Sequence, residues 1–199
     1  MSWIEIVSAV LGLSCVFLAG RGSKYNFWVG YVYNIFLLVL FWRQHLYSAM
    51  IIQPVAFAIN AYGHWRWTHP RSGEANSSGD LKVGSLTARF GFTILLLALT
   101  IGFVWGRVLE WLPARWPDIF GPDPSPMLDS YILMTTLVAQ LFSARKYWEC
   151  WILWLVINAA NIVLYITSGL YVMPVVSALY LANGVWSLVS WKRKYNRNE

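Results

Sequence analysis

Apolar residues run through this chain in seven long blocks, at positions 4–19, 27–42, 47–67, 90–105, 128–142, 148–167 and 171–191, separated by polar or turn-rich stretches. About 20 apolar residues make roughly 30 Å of helix, the thickness of a bilayer's hydrocarbon core, so each block predicts a membrane-spanning helix. The breaks differ in kind. Gly20-Arg21-Gly22-Ser23-Lys24 is a basic turn whose glycines end a helix. Arg43-Gln44-His45 is a second short turn, and residues 71–89 are the longest polar stretch, with a turn-rich linker at 72–80. The block at 90–105 has few polar side chains and predicts a connector helix. After it, residues 107–126 hold five prolines and read as an irregular loop. Pro54 inside the third block predicts a kink that frees a carbonyl at membrane depth. Glu5 stands where a cleavable leader would be basic, so the first block is expected to stay as a helix.

Composition excludes a soluble domain: 58% of the 199 residues are hydrophobic and only 12% are charged. A net charge of +6 could indicate a nucleic-acid partner, but its distribution argues otherwise. With seven spans, one side receives Arg21, Lys24, Arg66, Arg71, Lys82, Arg89, Arg145, Lys146, Lys192, Arg193, Lys194 and Arg197, twelve of the 15 basic residues. The other side receives Arg43, Arg107 and Arg115. By the positive-inside rule this places the N-terminus outside and the C-terminus in the cytoplasm, in a multi-pass protein of the cell (inner) membrane. The basic charge is therefore a topology signal, and no nucleic acid is expected. Cys15 and Cys150 fall at different depths and predict no disulfide.

A shift of 124 positions superposes the chain on itself without a gap. It brings Arg21 onto Arg145, Asn34 onto Asn158, Leu46-Tyr47 onto Leu170-Tyr171, and Trp67 onto Trp191. The expected fold class is therefore all-α: seven transmembrane helices forming two parallel three-helix repeats, at about 1–70 and 127–194, joined by a connector helix at about 90–106. This is the 3+1+3 plan of SWEET-like sugar transporters.

The repeat makes Asn34 and Asn158 equivalent amides near the bilayer midplane, where such transporters hold their substrate. An amide at that depth costs a few kcal/mol unless another helix, water or a ligand hydrogen-bonds it. At about 100° per residue, Trp151, Trp154 and Asn158 share one face of the sixth helix, an indole pair beside a carboxamide and so a platform for a flat, cationic ring. Helix packing around a polar clasp is the competing explanation. In the third helix Gln53 and Asn60 are seven apart and share a face. The candidate substrate-binding residues are thus Trp151, Trp154, Asn158, Asn34, Gln53 and Asn60. No metal or cofactor is implied.

An intramembrane enzyme would need a buried catalytic constellation. His45, His64 and His69 fall at or beyond helix ends, and no Asp or Glu lies at a helix centre. Rings of charge or carbonyl filters that would mark an aqueous channel are also lacking.

Trp151-x-x-Trp154-x-x-x-Asn158, preceded by Arg145-Lys146-Tyr147 and Glu149, resembles the substrate-binding helix of the PnuC family of nicotinamide riboside transporters. Ser2-Trp3-Ile4-Glu5, Leu46-Tyr47 with Gln53, and Asn60-Ala61-Tyr62-Gly63 agree with the same family. The resemblance weakens only between about 71 and 126. It implies a homotrimeric facilitator with the 3+1+3 fold, carrying an unphosphorylated vitamin precursor that a cytoplasmic kinase then traps for NAD biosynthesis. Nicotinamide riboside suits the residues: indoles for its pyridinium, amides for its carboxamide and hydroxyls, and no mid-span Lys or Arg for a phosphate. Two alternatives stay open, a carrier of another precursor such as thiamine or riboflavin, and a non-transporting structural or sensory membrane protein.

Overall fold

The computed structural model describes residues 3–43, 47–77, 79–120, 125–167 and 173–197. Among them the seven apolar blocks are all helical: α1 (Trp3–Arg21), α2 (Tyr25–Arg43), α3 (Tyr47–Thr68), α4 (Ala88–Arg115), α5 (Pro126–Ala144), α6 (Cys150–Thr167) and α7 (Met173–Asn196). Their lengths, from 18 residues in α6 to 28 in α4, suffice to cross a hydrocarbon layer about 30 Å thick. The surface inverts the soluble pattern. On α2, Trp28, Val32, Ile35, Val39 and Trp42 recur at helical spacing and are all exposed, as are Ile6, Val10 and Phe17 on α1. Such stripes are unfavourable in water and at home in lipid. Leu46, Leu170 and Tyr171, which carry part of the internal repeat, lie outside the described residues, as does Ser2.

Helices adjacent in sequence pack together, α1 on α2 on α3 and α5 on α6 on α7, and the two sets meet where α1 touches α7 and α3 touches α5. At that junction four aromatic rings form a chain. Phe27 meets Trp67 edge-on at 4.9 Å, Trp67 meets Trp191 at 5.8 Å, and Trp191 meets Trp151 edge-on at 5.5 Å. A shift of 124 exchanges the two ends of this chain, Phe27 with Trp151 and Trp67 with Trp191. The hydrogen bonds correspond as well: the Trp67 indole donates to the Ser143 carbonyl of α5 at 3.1 Å, and the Trp191 indole to the Gly20 carbonyl of α1 at 2.8 Å. So do the turns, where Gly22 and Lys146 both adopt left-handed backbone, φ 76° and 59°.

Two stretches differ from their sequence expectation. The connector helix continues past Trp105 to Arg115, with Pro113 inside its last turn. There the proline forfeits one backbone bond near the helix end, and the Arg107–Glu110 pair one turn earlier bridges the helix surface. α4 docks on α5 through Ala98, Gly102 and Gly106, its three buried residues, each four apart. Tyr131 and Met127 cover the two glycines, and the buried Ser130 hydroxyl donates to the Gly102 carbonyl. Pro54 lies inside α3, as the apolar block that contains it predicts.

The polar stretch between α3 and α4, expected as a linker, is a strap laid over the end of the bundle. Leu81 and Val83 are buried in the aromatic core, while Asp80 and Lys82 beside them are half-buried. The strap is held by backbone bonds between Gly84 and the α5–α6 turn, Gly84 N to Lys146 O at 3.0 Å and Trp148 N to Gly84 O at 3.2 Å. Glu149 accepts from the Ser85 hydroxyl and from the Leu86 amide at 3.0 Å.

Candidate functional site

The helix α6 is almost wholly apolar, so its amide and its two indoles stand out, and each has a different setting. Trp151 is only 1% exposed and belongs to the aromatic core, its ring edge-on to Trp191. Its indole N–H is buried without a hydrogen-bond acceptor among the described residues. Trp154 is half-buried and packs on the rim of that core. No ring pairing joins the two tryptophans among the described residues. Residues three apart are rotated by about 60°, and Trp151 is turned toward α7.

Asn158 is 8% exposed and donates from Nδ2 to the Trp154 carbonyl at 2.7 Å. The cost of burying this amide is therefore relieved within its own helix, one turn back, rather than by a second helix. The bond uses one of its two N–H groups, leaving the other for a further partner.

In the first half the equivalent positions hold Phe27, Gly30 and Asn34. Asn60 fills the room that Gly30 leaves: a Cβ on Gly30 would lie 2.9 Å from Asn60 Nδ2, and the same nitrogen donates to the Phe27 carbonyl at 3.2 Å. In the second half Trp154 replaces Gly30 and Gly184 replaces Asn60, so bulk moves from α3 to α6. Asn34 and Gln53 are half-buried. Trp151, Trp154 and Asn158 are thus gathered on one helix, and Asn60 sits between α2 and α3. Neither of two described cavities, one at the strap and one between α1 and α7, is lined by any of the six residues.

Sequence reasoning missed two neighbours. His64 stacks on Phe27 at 5.5 Å and its Nδ1 lies 3.1 Å from the Tyr31 hydroxyl, putting a polar pair beside the counterpart of Trp151. The spacing of Tyr31 and His64, on different helices, contains no signal for this. Trp67 and Trp191 were visible as a repeat match, but only their indole hydrogen bonds show that they join the halves.

Helices with apolar residues turned outward, as described above, are those of a multi-pass membrane protein. Residues 2–193 match the family model described as nicotinamide mononucleotide transporter. The chain belongs to that family, the PnuC family, which is one of transporters and not of enzymes. It is similar to the nicotinamide riboside transporter PnuC of Escherichia coli K12, 28% identical over 190 residues that span 87% of this chain and 78% of that protein. It is also similar to the PnuC of Neisseria mucosa, 26% identical over 208 residues, spanning 99% of this chain and 74% of that one. Among solved structures, the crystal structure of the vitamin B3 transporter PnuC superposes with a TM-score of 0.75 at 22% identity, covering 100% of this chain and 84% of that one. The fold is thus that of PnuC.

Proposed function

We propose that this protein carries nicotinamide riboside across the cell (inner) membrane by facilitated diffusion, supplying NAD biosynthesis. The observation that carries the reading is the Trp151, Trp154 and Asn158 face of α6 within a chain matched almost end to end by the family. Relatives named for nicotinamide riboside support the substrate. The phosphorylated form is disfavoured because the middles of the spans contain no Lys or Arg to neutralise a phosphate. In this reading Trp154 covers the pyridinium, Asn158 and the Trp151 indole N–H serve the carboxamide, and Asn34, Gln53 and Asn60 serve the ribose hydroxyls.

The parallel 3+1+3 arrangement is supported by the agreement of helix bounds, turns and the aromatic chain with the 124-residue shift. The N-out, C-in orientation rests on the twelve basic residues of one side. A homotrimer, and a cytoplasmic kinase that consumes the arriving substrate, follow from the family resemblance. Titration calorimetry of the purified protein tests the substrate. Nicotinamide riboside should bind, and its 5′-phosphate, thiamine and riboflavin should compete with it far more weakly; displacement of nicotinamide riboside by a lower concentration of any of the three would overturn the assignment.

A further inference from the structure

A cavity of about 360 Å³ opens between the strap and the bundle, away from the six candidate transport residues. α3 supplies Tyr62 and Arg66, the α5–α6 turn supplies Arg145 and Tyr147, and the strap supplies Arg71 and Lys82. The single carboxylate on its wall is Glu74, which pairs with Arg66 and accepts from the Arg71 amide at 3.0 Å. Three cationic charges are left over.

Membrane orientation alone does not explain how these residues are held. At the end of α7 and just after it, Lys192, Arg193 and Arg197 lie exposed. Here the Arg66 side chain is only 12% exposed and Lys82 and Arg145 are half-buried. One guanidinium nitrogen of Arg66 and Nε of Arg145 are buried with no acceptor among the described residues. Enclosed charged donors without acceptors are costly, and these two line one cavity. Tyr62 and Tyr147 line the same cavity beside Arg145. A planar fork presented with further cations around it matches an oxyanion carrying more than one charge.

We propose that this cavity is a binding site for a phosphate-bearing anion that ties the strap to α3 and to the α5–α6 turn. The assignment does not depend on the transported substrate, because it is tested by binding. Protein in phosphatidylcholine nanodiscs is titrated with inorganic phosphate by calorimetry, against chloride at constant ionic strength, and its thermal unfolding is compared with that in discs containing phosphatidylglycerol. Saturable phosphate binding, weakened about tenfold or more by Arg145→Gln and by Lys82→Glu, supports a soluble phosphate ligand. Stabilisation by phosphatidylglycerol alone, lost in both variants, supports a lipid headgroup as the source. Lys82→Glu keeps the test open should Arg145→Gln disturb the turn, since no side-chain bond of Lys82 is broken. If wild type and variants respond alike to phosphate, chloride and phosphatidylglycerol, the site is refuted and the cations serve orientation only.

Discussion

Trp151 and Trp154 stand three positions apart, and the helix turns them to different neighbours, so their substitutions should separate stability from recognition. Trp151→Ala empties the middle of the aromatic core and should cost about 3–5 kcal/mol of stability. Trp154→Ala, at the rim, should leave the unfolding midpoint near wild type while weakening nicotinamide riboside by about 1–2 kcal/mol, roughly five- to thirty-fold. Calorimetry and thermal unfolding of both variants check this, and unchanged affinity in Trp154→Ala would remove it from the site. The helical wheel already put Trp151, Trp154 and Asn158 on one side of α6. Which indole would be core and which rim was not legible, because a wheel gives direction but not the neighbour met there. The bond of Asn158 to its own helix was equally hidden, since it depends on a side-chain rotamer. Lys146 makes a further residue-scale case. Its Nζ donates to the Leu81 carbonyl at 2.6 Å and lies 4.7 Å from the centre of the Trp67 ring. Burial pushes its pKa from 10.5 down to about 8, with Asp80 opposing and Lys194 adding to the shift. The folded state therefore gives up this proton before the unfolded state does, and stability is gained as pH climbs from about 8 toward 10.5. The unfolding midpoint of wild type should rise across that window relative to Lys146→Met; parallel curves would show that the buried amine is not perturbed.

Among the elements, α4 and the strap were the least legible, for opposite reasons. The end of α4 was masked by Pro113, which suggests a loop, although a proline so close to a helix end removes little. The strap was masked by its polarity: Leu81 and Val83 are isolated apolar residues in a hydrophilic stretch, too few to give a period. Their burial depends on the opening between α3 and the α5–α6 turn, which exists only once the bundle is assembled. By contrast the Ala98, Gly102 and Gly106 spacing is a direct sequence signal for close helix approach. A Cβ on Gly102 would already lie 2.9 Å from Tyr131, so Gly102→Leu should force α4 off α5. A loss of at least 1–3 kcal/mol is expected, by the usual cost of overpacking, read as a lower unfolding midpoint and faster proteolysis at the 116–120 turn. An unaltered midpoint would mean that α4 docks by another face.

At the scale of the whole molecule, the seven helices could be read from apolar blocks, because bilayer thickness fixes helix length. How the halves join was not legible, since the Trp67 and Trp191 hydrogen bonds cross between segments far apart in sequence. The energetic character of the carrier follows from what the helix centres contain. Asn34, Gln53, Asn60 and Asn158 offer neutral hydrogen bonds, and no Asp, Glu, Lys, Arg or His lies at mid-depth to bind a driving ion. Transport should therefore be downhill only. A cationic substrate still feels about 2.3 kcal/mol per 100 mV, so the decisive assay holds the membrane potential at zero. Proteoliposomes containing the purified protein are loaded with buffer and given labelled nicotinamide riboside, with and without imposed proton or sodium gradients. The label should enter until inside and outside concentrations are equal, at the same final level in every condition. Accumulation above the external concentration under either gradient would contradict the facilitator mechanism, and no entry beyond protein-free liposomes would contradict transport of nicotinamide riboside itself.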